Sequence, residues 1–304
     1  MKFGVIGLGG IAQKAYLPTY SQSRNLGEFI FATRNPETRQ EIQEKYGFFK
    51  MVATIDELLA ANIDACFIHV ATKAHYEVAK ACLTNGVHVF MDKPISERVY
   101  EVKELQELAA EKNLIFMTAF NRRFAPMVDQ LKSLPEKRII QVQKNRENNQ
   151  GAVTFAIYDL FSHVIDTAVY LLDGPIQLID SRVVEKAGQL EFVTATLSTP
   201  TSTAFVTMDY RSGANTEIFQ VTSPEKTLIL DDLTNLTIIE GEKRSQKSFG
   251  NWDTTLFKRG FEQMVTSFIS AVDLGDDRFL RQEKVLLTHE ICGEIIAQHQ
   301  RHLL

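Results

Sequence analysis

The sequence predicts a two-part α/β chain: a parallel sheet interleaved with helices up to about residue 120, then a domain built on a large, open, mainly antiparallel sheet. Three observations predict it. Apolar runs at 2–7, 29–33, 64–72, 87–91 and 114–119 alternate with amphipathic stretches such as 36–46 and 75–85, the pattern of βαβ units whose strands are buried on both faces. After Pro126 a helix-like stretch at about 159–172 is followed by six strand-like runs with no helix between them. The 304 residues also exceed what one hydrophobic core usually serves.

Taken in order, each element has its own signal. In the first part, Gly47 and Gly86 stand where the helices should stop, as left-handed caps do. The six later runs are 176–186, 190–198, 202–211, 215–223, 226–231 and 235–240, joined by turns such as Thr199-Pro200 and Ser223-Pro224, which makes the sheet antiparallel. In two of them Val193, Ala195, Leu197 and Ala204, Val206, Met208 and Tyr210 read as the core face. The alternate residues form a Thr-rich face carrying Phe192 and Phe205, which suits pairing with a second subunit. Amphipathic segments at about 256–274 and 282–301 close the chain. The division expected is 1–120 and 121–304, with the C-terminal helix packing back on the first domain.

Composition excludes several classes. Apolar residues at 44% and charged ones at 23% are ordinary globular values. A net charge of −5 without a basic cluster argues against nucleic acid. No apolar stretch approaches the roughly 20 residues that span a bilayer, and the N-terminus carries no signal-type segment. Cys66, Cys82 and Cys292 are odd in number and far apart, so they read as free thiols in a reducing cytoplasm, with no CxxC metal or redox pair. No metal site is expected.

Directly after the first strand comes Gly7-Leu8-Gly9-Gly10-Ile11-Ala12, a G-x-G-x-x-A sequence. Gly7 permits the tight turn, Gly9 and Gly10 let backbone approach a pyrophosphate, and Ala12 allows close helix–strand packing, with phosphates over the helix N-terminus at Ile11. An NAD site would carry an acid about 20 residues on, at the tip of the second strand. Here the tip reads Ala32-Thr33-Arg34-Asn35. A hydroxyl and a guanidinium suit a 2′-phosphate, so NADP(H) is preferred and NAD(H) is the alternative.

Four further motifs follow: Thr72-Lys73-Ala74-His75, Asp92-Lys93-Pro94, Arg123-Phe124-Ala125-Pro126, and Asp159-x-x-x-His163-x-x-Asp166. In this order, with the glycine turn, the chain resembles the Gfo/Idh/MocA oxidoreductase family over essentially its whole length. The wording GLGGIAQKAYLP, VHVFMDKP and FNRRFAP is similar to the MviM-like branch. The resemblance implies a Rossmann domain followed by an α/β domain whose open sheet makes oligomer contacts, hence a homodimer or homotetramer. It also places the family's E-K-P lysine on Lys93 and its aspartate and histidine on Asp159 and His163, around a small-molecule substrate and the nicotinamide.

The chemistry agrees. Removing a hydride from a carbinol carbon requires loss of the hydroxyl proton, so a group titrating near neutrality must touch that oxygen. His163 fits as base or acid, and Lys93 can stabilise charge on the developing alkoxide or carbonyl oxygen. Asp159 and His163 are i and i+4 on one helix face, with Asp166 a further turn along, so either acid can orient the imidazole. Asp159 also stands where an N-cap would. Thr72 and His75 are placed near the nicotinamide, although His75 equally suits capping the helix it begins. Arg123, Phe161 and Asp166 are candidates for substrate contact. Asp92 and Lys73 replace the commoner Glu and Pro, and Phe161 replaces a glycine, which implies a smaller or more aromatic pocket.

The function expected is an NADP(H)-preferring oxidoreductase interconverting a hydroxyl and a carbonyl on a small polar, carbohydrate-derived substrate. Two alternatives stand beside it. One is a nucleotide-binding regulator or sensor without catalysis. The other is an imine- or tetrapyrrole-type reductase, favoured by an aromatic pocket around Phe161.

Overall fold

The computed structural model describes residues 1–48 and 50–302. They form two compact units, Met1–Ala119 with Phe261–Gln282, and Phe120–Gly260 with the chain from Glu283 onward. This differs from a single cut at residue 120. The segment grouped with the first unit is Phe261–Leu274, while the C-terminal helix Val285–His302 belongs to the second.

The first unit is a six-stranded parallel sheet: β1 (Lys2–Ile6), β2 (Glu28–Ala32), β3 (Met51–Val52), β4 (Ala65–Ile68), β5 (His88–Met91) and β6 (Phe116–Thr118), in the order 3-2-1-4-5-6. That is the Rossmann order, in which ligands bind beyond the carboxyl ends of the strands where the order reverses, here between β1 and β4. The strands are apolar on both faces because helices cover both. The helix His75–Thr84 buries Ala79, Cys82 and Leu83, and Val99–Glu111 buries Val102, Leu105 and Ala109, each at helical spacing. Asn35 caps the helix Pro36–Tyr46 by accepting from the Glu37 and Thr38 amides, and Gly47, at φ 64°, ends it in the left-handed conformation.

Aromatic packing explains why Phe261–Leu274 joins this unit. Phe268 lies 5.2 Å from the Phe67 ring centroid and 5.5 Å from Phe90, completing a nest with Phe3 and Tyr20 around Phe67. Truncating a ring so enclosed typically costs about 3–5 kcal/mol.

The second unit carries eight strands: β7 (Ile139–Asn145), β8 (Gln177–Lys186), β9 (Gln189–Ser198), β10 (Thr203–Asp209), β11 (Thr216–Thr222), β12 (Thr227–Asp231), β13 (Asn235–Glu240) and β14 (Lys243–Ser248). Their order is 14-13-12-11-7-10-9-8, antiparallel throughout except for the parallel pair β7 and β10. The six expected runs are β8 to β13, and β7 and β14 are additional. The helix Ser162–Leu171 is buried at all ten residues, so each polar group on it needs a partner. Ser162 donates to the Tyr158 carbonyl at 2.6 Å and Thr167 to that of His163 at 2.8 Å. The charged edge strand β14, KRSQKS, is exposed throughout, which discourages further strand pairing.

Among the described residues no helix is long and apolar enough to cross a membrane, and no group of three or more His, Cys, Asp or Glu side chains could hold a metal ion. The three cysteines are buried free thiols.

Candidate active site

The glycine turn lies between β1 and a helix beginning at Gly10. Gly7 has φ +92°, and a Cβ there would come within 2.4 Å of the His69 and Val70 backbone at the end of β4, so glycine is required twice over. At Gly9 and Gly10 a Cβ would meet nothing within 4 Å. Their bare backbone therefore faces open space at a helix start whose first amides have no intrahelical acceptor, a cradle that fits a dinucleotide pyrophosphate. Ala12 is fully buried against the sheet, and Gln13 Nε2 donates to the Leu8 carbonyl at 3.0 Å, bracing the turn. At the tip of β2, Thr33 accepts from the Asn35 amide, while Arg34 is exposed beside it.

At the carboxyl ends of β4 and β5 a buried network holds Lys93. The Lys93 amide donates to Asp92 Oδ1 at 3.1 Å, and Tyr16 Oη donates to the same oxygen at 3.2 Å. His69 Nδ1 lies 3.3 Å from Asp92 Oδ2, and its Nε2 lies 2.8 Å from Tyr20 Oη. A phenol donates to Nε2 most simply when Nδ1–H donates to the carboxylate, so Tyr20 donates to His69 and His69 to Asp92, on which the Lys93 amide and the Tyr16 hydroxyl converge as further donors. Burial pulls the Asp92 carboxyl upward, but His69 and the charge of Lys93 outweigh it and leave it below the usual range. Burial raises Tyr20, which stays a phenol.

His75 occupies the first position of its helix, yet it serves neither as cap nor as an open pocket wall. It is 2% exposed, with Nδ1 2.7 Å from the Pro94 carbonyl and Nε2 2.9 Å from that of Val70. Burial favours the neutral ring, which donates through one nitrogen to one of these carbonyls while the other nitrogen lies beside the second, so the ring sits between the β4 and β5 ends next to the cis Lys93–Pro94 peptide.

In the second unit, Asp159 sits inside a π-helical stretch, Ile157–Phe161, within a helical run that begins at Val153, so it is not an N-cap. Wide turns of this kind recur at functional sites. Four residues on, His163 is 8% exposed and its Nδ1 lies 3.1 Å from Arg122 Nη1. A guanidinium can only donate, so Nδ1 accepts and neutral His163 carries its proton on Nε2. Arg122 is itself fixed by Glu217, through Nε to Oε1 at 2.8 Å and Nη2 to Oε2 at 3.0 Å, and Lys144 reaches Oε2 at 2.9 Å. Lys144 on β7 and Glu217 on β11 are cross-strand register partners facing inward. Burial would raise Glu217, but Arg122 and Lys144 hold it at about 2. Burial, then Arg122, brings Lys144 down to about 8.

Three residues expected at the substrate lie elsewhere. Phe161 is fully buried in the hydrophobic cluster with Val164, Ile165 and Val206, so its ring fills core and does not narrow a pocket. Arg123 and Asp166 are spent on one another: Nη2 to Oδ1 at 2.8 Å and Nε to Oδ2 at 3.0 Å, with Arg123 Nη1 on the Glu283 carbonyl and Thr288 donating to Asp166. At 0% and 1% exposure, this pair is a structural ion pair, not a receptor for substrate.

Glu217, Lys144 and Arg122 escaped identification as a cluster. The signal was a charge at an inward strand position, since Glu217 alternates with Phe219 and Val221 on the core face of β11.

Residues 1–120 match a family described as oxidoreductases with an NAD-binding Rossmann fold, and residues 126–242 match the YceM-like C-terminal domain. The chain is 31% identical over 278 residues to the oxidoreductase YceM of Salmonella typhimurium, covering 90% of this chain and 89% of that one. A crystal structure of a dehydrogenase, MviM, from Clostridium difficile is 32% identical, covers 98% of this chain and 99% of the other, and superposes with a TM-score of 0.93. A scyllo-inositol 2-dehydrogenase (NADP(+)) of Bacillus subtilis is 25% identical over 191 residues, 58% of this chain and 52% of that one.

Proposed function

The chain belongs to the Gfo/Idh/MocA oxidoreductase family, and from that membership and the geometry of its two units we propose that it transfers a hydride between NADP(H) and a CH–OH or C=O carbon of a small polar, carbohydrate-derived substrate. The observation that carries the reading is the buried network of Tyr20, His69 and Asp92 that holds the Lys93 backbone amide at the carboxyl end of β5. The nicotinamide supplies the hydride acceptor or donor. Gly9, Gly10 and Ile11 bind its pyrophosphate over a turn shaped by Gly7 and closed by the buried Ala12; Thr33 and Arg34 bind its 2′-phosphate, and Thr72 lines the nicotinamide end. The relatives support the substrate class, since one is named for an inositol and for NADP+.

Within the reaction Lys93 and His163 take different parts. With Nδ1 accepting from Arg122, neutral His163 donates from Nε2, which suits holding the substrate oxygen and stabilising its developing charge. A second proton on Nδ1 would face a guanidinium, so the base assigned to His163 from sequence passes to Lys93. Asp159, i−4 from His163, orients substrate or imidazole. Phe161, the feature that favoured an imine- or tetrapyrrole-type reductase, is a core residue and no longer supports that reading. Three buried free thiols suit a reducing cytoplasm, and the outward face of the eight-stranded sheet, where Phe205 is 44% exposed, suits a homo-oligomer.

Polyols, sugars and 2-oxo compounds screened by nicotinamide absorbance, with NADP(H) and NAD(H) in parallel, test the reading. On the substrate so found, Lys93→Ala and His163→Ala should each lose about 10²-fold or more in turnover, as loss of a proton carrier or of an oxyanion donor does, while still binding cofactor. Near-normal turnover by either variant removes that residue from the mechanism.

A further inference from the structure

The second unit gathers more positive charge beside His163 than it neutralises. Arg122, Lys144 and Arg259 all address Glu217, Arg259 Nη1 standing 3.8 Å from Oε2. Two residues beyond Lys144, Arg146 is anchored by its amide on the Asp209 carbonyl, and its Nε is buried with no hydrogen-bond partner. Burial and Asp159 raise the Tyr210 phenol while Arg146 lowers it, so Arg146 and Asp159 lie within electrostatic reach of one ring. Four cations therefore stand with three carboxylates, Glu217, Asp159 and Asp232, the last accepting from the Glu217 amide at 3.0 Å, in a chain whose net charge is −5.

A buried guanidinium Nε–H without an acceptor is costly unless something else supplies one. The kind of acceptor that suits a guanidinium Nε–H is already visible in the cluster: Arg122 grips Glu217 through Nε and Nη2, a forked geometry that carboxylate and phosphate oxygens share. Arg259, whose side chain is 34% exposed, leaves the cluster open to solvent on one side.

We propose that the substrate carries an anionic oxygen group, a carboxylate or a phosphate, on its carbohydrate-type skeleton, and that Arg146 receives this group with Lys144 and Arg259 supplying the surrounding positive field. This rests on the dehydrogenase reading and narrows it. A neutral polyol leaves the excess charge unanswered, whereas an anion discharges it and fixes which carbon of the substrate lies against His163. The surplus charge also repels cationic amino sugars.

The test is calorimetric binding to the full chain loaded with NADP+, using a matched set: an inositol or hexitol, the corresponding hexonate, and the hexitol phosphate, with inorganic phosphate and acetate as bare anions. Either anionic sugar should bind about 10-fold or more tightly than the neutral one, an advantage that shrinks as salt is raised. R146Q should cut that advantage to less than about 3-fold; if R146Q fails to fold, R146K keeps the charge, loses the fork, and should forfeit part of it. The hexonate and phosphate arms identify the group. Equal affinity for neutral and anionic sugars, or an advantage intact in R146Q or R146K, overturns the proposal. Turnover of a neutral polyol at higher kcat/KM than either anion also overturns it while leaving the dehydrogenase reading in place. Arg146-dependent anion binding with no hydride transfer to any member supports the anion site and refutes the dehydrogenase reading instead.

Discussion

Glu217→Gln and Lys144→Met should differ sharply in their effect, although the two side chains are 2.9 Å apart. Burial raises the Glu217 carboxyl, but Arg122 and Lys144 bring it to about 2 from an ordinary 4.5, which favours its ionised form in the folded chain by about 3 kcal/mol. Burial and Arg122 bring Lys144 to about 8 from 10.5, so its charged form costs the folded chain about 3 kcal/mol. At pH 7 both are ionised and the two contributions nearly cancel, as they commonly do in buried ion pairs. Removing the carboxylate leaves Arg122 and Lys144 buried without their counter-charge, and Glu217→Gln should lose about 3–5 kcal/mol. Removing the lysine leaves Glu217 chelated by Arg122, and Lys144→Met should change stability by no more than about 1 kcal/mol, in either direction.

The same values fix the pH dependence. A depressed carboxyl contributes stability above its unfolded value near 4.5 and loses it as pH falls toward 2, so that acid-side loss should be missing in Glu217→Gln. A depressed lysine makes the folded chain bind fewer protons than the unfolded one between about 8 and 10.5, so stability rises across that window, and the rise should be missing in Lys144→Met. Urea unfolding followed by circular dichroism, repeated from acid to alkaline pH, measures both. A Glu217→Gln variant within about 1 kcal/mol of wild type, or a Lys144→Met variant equally destabilised, would show that the carboxylate is not the element holding the cluster together.

Other outcomes follow from single positions. Gly9→Val adds a side chain into open space, so it should leave the melting temperature nearly unchanged yet weaken NADP(H) binding about 10-fold or more by fluorescence titration, whereas Gly7→Ala, with Cβ 2.4 Å from backbone, should destabilise the first unit. Arg34→Ser should raise the dissociation constant for NADP(H) about 10-fold and leave that for NAD(H) unchanged, since only one cofactor carries the 2′-phosphate; tighter NAD(H) binding by the wild type would reverse the assignment. Light scattering at micromolar concentration should find a dimer or tetramer, and Phe205→Lys on the exposed sheet face should shift it toward monomer; a wild-type monomer contradicts the assembly.

The Rossmann sheet was legible because its strands are apolar on both faces and punctuated by glycines, a pattern that needs no partner to be recognised. Only β3 escaped, being two half-buried residues. In the second unit β8 to β13 were legible from alternation, while β7 was not, and its sequence shows why. Ile140, Val142 and Lys144 face inward, so the strand's apolar face ends in a lysine and its outward face is half glutamine. The residue that obscured the strand belongs to the charged cluster beside His163, where a buried ion pair with Glu217 takes the place of apolar packing. Arg123 and Asp166 failed in the opposite sense. Each looked reactive because its partner lies 43 positions away, and helical spacing relates Asp166 to His163 but carries no information about a guanidinium across the core.

Charge supplies the step that motif matching could not. Three basic residues stand out in the sequence as places to meet negative charge or substrate: Arg34 for a 2′-phosphate, Lys93 for the substrate oxygen and Arg123 for the substrate. Burial separates them. Arg34 is exposed at the tip of β2, and Lys93 is half-buried on its network, whereas Arg123 is neutralised within its own unit. The surplus lies at Arg122, Lys144, Arg146 and Arg259, from three separate stretches of chain, of which only Arg122 falls in a recognisable motif. The family motifs contain Lys93 and His163, to which we assign the chemistry, whereas the residues we propose to select the substrate, Lys144, Arg146 and Arg259, lie outside them.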